Sequence, residues 1–591
     1  MPPHDPHSYT DLAQARIEHI AFRFEIDFAA RRLLGRATYR LDRPCRGPLD
    51  LDTRGLDLLG AHSGGSELHW DLAPDEPILG QRMRLRNLAG RREFEIEFRT
   101  RPDAGALQWL TPEQTGGRRH PYLFTQCQPI HARTVFPCQD SPSVRFTFDA
   151  DIAAPQPLVV VMAAAALGSE PEGRARRFRF RMPQPIPSYL FALAAGDIVR
   201  RDLGPRTAVY TEPRLADAAA WEFAQTEQML AEGERLYGPY DWDRYDMIVM
   251  PPSFPYGGME NPRLTFLTPT ILAGDRSLVN LIAHELAHSW TGNLVTNATW
   301  EDFWLNEGWT TYAERRIIEA LEGTDSANLR ALTGRNTMFH AMRLFGMEAQ
   351  PTRLKFSQKG IDPESVVSYV PYEKGYSFLV RLEQVVGRAA FDRFVRQYIA
   401  DHRFQSLTTE AFVVYLRRKL PAAAKAVDLK TWLYGPGFPD DAPPFPSRQA
   451  DAVSECLFDY QEYGRLPTRK QTSGWTTEQT YFFLQMLPRT MPRDDCRALD
   501  KTFDMPHSRI AVNLSNFYEI SIRCGYQEIL PRVDALLSTV GRMFVVMPVF
   551  RALATTPWSR SRARPMFERY RDRHHPITAS AMEAILKREG L

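Results

Sequence analysis

Residues 281–290 read LIAHELAHSW, and three of them carry groups that do chemistry near neutral pH: His284, Glu285 and His288. A buried imidazole needs a partner for each ring nitrogen, so two on one apolar helix face ask for a common partner. In a helix, residues i and i+4 lie about 40° apart around the axis. The rings of His284 and His288 therefore aim at one point. Glu285 is turned by about 100° and reaches a water at that point without being a ligand. This is the H-E-x-x-H spacing that binds zinc and activates water for hydrolysis. Two satisfied core histidines are the alternative, and the glutamate between them makes it the poorer one. The helix is expected to start near Asp275 as N-cap and to stop before Gly292.

Two imidazoles leave a catalytic zinc shell one protein ligand short. The run FWLNEGWTTYAERR (Phe303–Arg316) offers Glu307, with Asn306 as the expected cap of its helix. Eighteen residues separate His288 from Glu307, enough to bring the second helix back beside the first. A His/His/Glu set is a catalytic type that leaves one position open. Glu314, seven residues further on, shares the helix face of Glu307 and is placed to hold a ligand histidine from behind.

The elements that must carry these residues follow from periodicity. In the first 200 residues, Ile20–Phe28, Arg92–Phe98, Val144–Ile152 and Arg177–Met182 alternate apolar with polar side chains, as half-buried antiparallel strands do. After Gly204 the period becomes helical, beginning with one helix over Leu215–Gly238, and helices are expected to dominate to about residue 433. Tyr434–Ser447, rich in proline and glycine, reads as a linker. From Val453 onward the pattern is again short helices, without a fixed repeat. The expected architecture is multidomain α+β: a β-rich domain over 1–204, a mixed catalytic domain over 205–445 and an all-helical domain over 450–591.

Composition narrows the function. The chain has 591 residues, 43% hydrophobic and 24% charged, with a net charge of +2. A near-neutral charge argues against a polyanion-binding protein, and nucleic acid is not an expected partner. The basic run Arg560–His575 has acidic residues interspersed and reads as a solvated helix face. Pro157–Gly168, the longest apolar run, is too short to span a membrane, and the first ten residues lack the apolar core of a secretory signal. Six scattered cysteines without a C-x-x-C pair suit a reducing cytoplasm.

With these motifs in hand, the chain resembles the gluzincin zinc aminopeptidases, in particular the branch of leukotriene A4 hydrolase and aminopeptidase B. Gln126–Arg145, Pro255–Trp309 and Val370–Leu379 carry the resemblance, which continues more weakly to Gly541–Met543. It implies a β-rich saddle, a thermolysin-like zinc domain and a helical C-terminal domain, with one zinc per chain. By the same resemblance, the GGMEN stretch, with Gly257, Gly258 and Met259, lies along the peptide substrate. Glu260 then binds the substrate's free α-ammonium, which makes an exopeptidase of the enzyme. Gln128 assists Glu260, and Tyr372 stabilises the oxyanion.

Three positions depart from the leukotriene hydrolase pattern. Glu364 stands where that enzyme has an aspartate, Val367 where it has a tyrosine, and Phe544 where it has a lysine; Arg542 is retained. The expected function is removal of N-terminal residues from short peptides, held by Arg542 at their carboxylate. Glu364 then favours a basic first residue. Epoxide hydrolysis at the same zinc, and a non-catalytic binding protein with structural zinc, are the alternatives.

Overall fold

The computed structural model describes residues 5–591. The alternating segments at the N-terminal end form an eight-stranded sheet. Its centre pairs Ile17–Asp27 parallel with Arg145–Pro155 and antiparallel with Arg32–Leu41. Ala175–Pro187 and Glu93–Thr100 extend it on the two sides. Phe22, Phe24, Phe148 and Phe191 fill its inner face, the side the period-2 pattern reserves for the core.

Buried among these elements is Arg133, whose Nε lies 2.9 Å from Asp140 Oδ2, with Asp52 at 3.9 Å from another guanidinium nitrogen. A guanidinium fully removed from water needs such partners. The pairing fixes the loop that carries Gln128 and His131 toward the rest of the molecule.

A second sheet of five strands begins at Val199–Asp202 and runs through Thr207–Thr211, Tyr245–Val249 and Leu264–Leu267 to an edge strand, Gly258–Met259. Periodicity did not lead to expect the strands over 245–267. Tyr245–Val249 and Leu264–Leu267 are short and wholly buried, so they show no alternation. The helix expected over Leu215–Gly238 is two, Ala216–Glu222 and Thr226–Tyr237. The break frees the buried Glu222 carboxylate to accept from the backbone N–H groups of Gly274 and Arg276, at 2.9 and 2.8 Å.

That contact also corrects the start of the motif helix. Arg276 is held at φ +61°, outside helical geometry, and the Asp275 carboxylate accepts from Ser277 N–H at 2.9 Å without capping a helix. The helix runs Asn280–Ala287, with His288 as its C-cap. The second metal-site helix runs Trp304–Glu322, continuing a 3₁₀ turn over Trp300–Asp302. Asn306 is therefore not its cap; it lies inside the first turn, buried, and donates to Tyr189 Oη at 3.3 Å.

The Glu307 helix crosses the helix Val370–Val386 at Gly308 and Gly375. A Cβ on Gly308 would stand 2.9 Å from the Gly375 Cα. Two glycines facing each other let the helices meet backbone to backbone, and this brings Tyr372 down onto Glu307.

The segment Tyr434–Ser447 is irregular but packed. Phe445 is buried, and the Arg335 guanidinium stacks over Phe438 and Phe445. Short helices from Arg448–Tyr463 to Pro576–Arg588 complete the chain around a core of their own. Within the basic run, the arginines of the helix Arg560–Tyr570 face solvent, whereas His574 and His575 are buried. The run is thus only in part the solvated face expected of it. The helical region is stitched to the catalytic one by backbone bonds: Gly541 N–H donates to Pro252 O at 2.7 Å and Met543 N–H to Pro255 O at 2.8 Å. Among the described residues no helix is long and apolar enough to cross a membrane.

Candidate metal centre and active site

Three donor atoms converge at the end of the motif helix. His284 Nε2 lies 3.2 Å from His288 Nε2 and 3.3 Å from Glu307 Oε2, and His288 Nε2 lies 3.5 Å from that oxygen. Tetrahedral zinc, with bonds of 2.0–2.2 Å to nitrogen and oxygen, calls for donor separations of about 3.3–3.5 Å. Glu307 Oε2 is buried without a hydrogen-bond partner, a cost that a bound cation removes. The residues present fit zinc.

Each histidine is oriented from behind. His284 Nδ1 is 3.1 Å from Glu314 Oε2. His288 Nδ1 is 3.2 Å from the Thr310 hydroxyl, which itself donates to Thr291 O. Both contacts place the ring proton on Nδ1 and leave Nε2 free to ligate. Thr310 was not foreseen, although its signal was there: Glu307, Thr310 and Glu314 stand at i, i+3 and i+7 on one helix face.

The electrostatics match a cation site. Burial disfavours a proton on His284, but Glu307 and Glu314 outweigh it and hold that pKa well above the ordinary value. Burial and the neighbouring His284 push His288 well below the ordinary value, so its ring is neutral. Glu285 is raised to about 8, by burial first and by Glu307 and Glu314 next, with His284 pulling the other way. Its carboxylate occupies the space a side chain would fill at Gly258, where a Cβ would lie 2.1 Å from Oε1. At Gly257 the same space is taken by the Arg542 guanidinium. These glycines therefore admit protein groups. Met259 is buried, and its sulfur accepts from Gln126 Nε2 at 3.1 Å.

Glu260 lies beyond Gly258, buried, with a carboxylate oxygen within 4.8 Å of donor atoms of Glu285 and His288. Gln128 Nε2 donates to it at 3.3 Å, and Asn293 Nδ2 fixes its backbone carbonyl at 2.6 Å. Burial, then Glu307 and Glu285, raise its pKa well above the carboxylate range, so a second positive group beside the metal would be favoured. Tyr372 Oη donates to Glu307 Oε1 at 2.9 Å, and its ring stacks on that of His284. Burial and Glu307 keep the phenol protonated.

The site opens into a cavity of about 850 Å³ between the catalytic and helical regions. Glu364, Val367, Arg542 and Phe544 line it. Glu364 accepts from Tyr256 Oη at 3.1 Å and faces His131 Nε2 at 3.4 Å. Neither of those partners was foreseen, and nothing local in the sequence pairs them. Arg542 is half-buried, its guanidinium over the ring of Phe544, and among the described residues its Nε has no partner.

A sheet edge beside a His/His/Glu donor set, with a water-activating glutamate and an open cavity, defines a zinc metallopeptidase. Residues 221–432 match the profile of the Peptidase family M1 domain and 78–190 that of the Peptidase M1 N-terminal domain; 475–586 match that of Leukotriene A4 hydrolase, C-terminal. Leucine aminopeptidase 2 of Aspergillus niger is 36% identical over 99% of this chain and 98% of its own length. Leucine aminopeptidase 2 of Neosartorya fischeri is also 36% identical, over the same shares. Yeast LTA4 hydrolase in complex with bestatin superimposes with a TM-score of 0.92 at 33% identity, covering 99% of this chain and 98% of that one. An M1 zinc metallopeptidase of Deinococcus radiodurans shares the fold over 75% of the chain, with a TM-score of 0.60 at 20% identity. The chain belongs to peptidase family M1, and it is a zinc-dependent aminopeptidase.

Proposed function

We propose that the chain removes the first residue of short peptides, with zinc held by His284, His288 and Glu307 and with Glu285 as the base. The zinc, when bound, polarises the substrate carbonyl and acidifies water. Glu285 takes the proton of the attacking water and passes it to the departing amine. Glu260 and Gln128 bind the α-ammonium, and the Tyr372 hydroxyl supports the developing oxyanion. The edge strand Gly258–Met259 lies alongside the peptide backbone.

The observation that carries this reading is Glu260: a buried carboxylate crowded by Glu285 and His288, with one neutral donor on it. A charge-assisted hydrogen bond to an ammonium is worth roughly 1.5–3 kcal/mol. Glu260→Gln is therefore expected to lower kcat/KM about ten- to a hundredfold, and an N-acetylated peptide is expected to resist cleavage. Equal turnover of free and acetylated peptides sinks the reading.

For the first substrate residue, Glu364 supports a basic side chain, arginine above lysine. Its two oxygens meet a phenol and an imidazole, so among the described residues no lysine or arginine neutralises it. Val367 and the leucine aminopeptidase relatives support an apolar residue instead. Arginyl-, leucyl- and alanyl-aminomethylcoumarin, compared in the native chain and in Glu364→Gln, decide between the two. Epoxide hydrolysis is the second activity to assay, since the C-terminal region matches that of leukotriene A4 hydrolase; Glu364, Val367 and Phe544 weigh against it. All six cysteines are free thiols, which supports a cytoplasmic setting.

A further inference from the structure

The cavity continues well past the metal centre. The helices Met543–Thr555 and Pro576–Arg588 both start beside the site: Met543 N–H bonds Pro255 O, and Thr578 Oγ1 donates to Gly541 O at 3.3 Å. Each then presents one line of side chains to the cavity, Phe544 and Arg551 on the first, Ile577 and Arg588 on the second. Phe544 and Arg551 are two helical turns apart, or about 10 Å along the axis. Ile577 and Arg588 are three turns apart, about 16 Å.

Both helices thus end their cavity face on an arginine, and the two guanidinium groups are close enough that Arg588, after burial, helps to lower the pKa of Arg551. The apolar side of this mouth is Leu344, 59% exposed, at the end of the helix Thr324–Phe345. Arg551 makes no ion pair among the described residues, and its Nε is buried without a partner. Glu519, the carboxylate that acts on it from a distance, is taken by Arg523 at 3.2 Å. Among the described residues Arg588 pairs only with the adjacent Glu589, at 3.5 Å.

From these placements we infer that Arg551 and Arg588 form a second, anionic-residue subsite at the mouth of the cavity, which selects peptides carrying aspartate or glutamate several residues after the scissile bond. The reach is set by geometry. An extended peptide advances about 3.3 Å per residue, so Arg551 lies about three residues beyond the level of Phe544 and Arg542. A peptide whose third residue passes Arg542 brings its sixth to the mouth. This rests on the aminopeptidase reading above and adds to it: the enzyme takes peptides longer than tripeptides when their distal residues are acidic.

Two heptapeptide amides, alike except for glutamate or glutamine at positions 5 and 6, test it on the zinc-loaded protein. The glutamate peptide is expected to have a kcat/KM about three- to tenfold higher, through KM, with the advantage shrinking as salt screens the exposed charges. In the Arg551→Gln/Arg588→Gln double variant the ratio is expected to fall to about one. A ratio near one in the native chain, or a preference that survives the double substitution, overturns the inference. The same peptides, fluorescently labelled and titrated into zinc-loaded Glu285→Gln, report the preference as a ratio of Kd without turnover. An equal Kd overturns the subsite, whereas failure to release any N-terminal residue from either peptide counts against the aminopeptidase reading alone.

Discussion

The molecule holds two pairs of largely buried histidines, and they are built in opposite ways. His284 and His288 each have a partner for the inner nitrogen and turn the outer one to a shared point with an unpartnered carboxylate oxygen. His574 and His575 sit next to each other in sequence, also buried. The Nδ1 of His575 accepts from Ile577 N–H at 3.2 Å as a helix N-cap, its Nε2 has no partner, and its ring lies 6.1 Å from that of Phe124 in the β-rich region. Burial pushes His575 down to about 3 and His574 down to about 4. Glu307 and Glu314 outweigh burial at His284; at His575 Glu364 acts in the same direction but does not outweigh burial, so the ring stays neutral and packs against the β-rich region. Burial alone does not distinguish the two.

The sharpest break in that contrast is removal of the base while the ligands remain. Glu285→Gln is expected to keep its zinc and to lose turnover by about 10²–10⁴, whereas Glu307→Ala loses the metal; elemental analysis beside a coumarin assay separates the two. Activity of Glu285→Gln within tenfold of the native chain removes Glu285 from its role.

Next in size is the support behind the ligands. Glu314→Gln and Thr310→Val are expected to weaken zinc about ten- to a hundredfold, measured by competition with a chelator. Unchanged affinity in both would make these contacts incidental.

The other pair predicts acid sensitivity. Its folded pKa values lie below the ordinary value of about 6.5, so the unfolded chain binds these protons first. The stability they contribute is whole above about pH 6.5 and is lost as the pH falls toward 3. Replacing His575 by asparagine is expected to flatten the fall of stability between pH 6 and 4 by about 1.4 kcal/mol per pH unit. Urea midpoints across that range check it, and parallel slopes for variant and native chain refute it.

The smallest effect belongs to Arg542. C-terminal amidation of a tripeptide is expected to lower kcat/KM about three- to tenfold, and equal values for acid and amide free Arg542 of that task.

What could be read in advance has a physical pattern. The metal donors were visible because a helix fixes the angle between residues four apart, so spacing alone makes the site. Strands with one solvated face, such as Ile17–Asp27, announce themselves by alternation. Tyr245–Val249 and Leu264–Leu267 are buried on both faces and carry no such mark. A start of the motif helix at Asp275 is excluded because Arg276 is held at φ +61°, with its N–H on the carboxylate of Glu222, more than fifty residues earlier, and nothing local in the sequence announces that contact. The clamp of His131 and Tyr256 on Glu364 joins three distant segments and is a product of the tertiary fold alone.

The bonds from Gly541 and Met543 to the carbonyls of Pro252 and Pro255 have a consequence for the order of synthesis. A ribosome releases all three metal donors by residue 307, but the wall that carries Arg542 follows 235 residues later (542 less 307). At about 5–20 residues per second, the growing chain spends roughly 10–50 s with its zinc ligands made and its peptide channel unroofed. The enzyme therefore acquires its final form as a sieve for peptides only after most of its catalytic half has had time to fold.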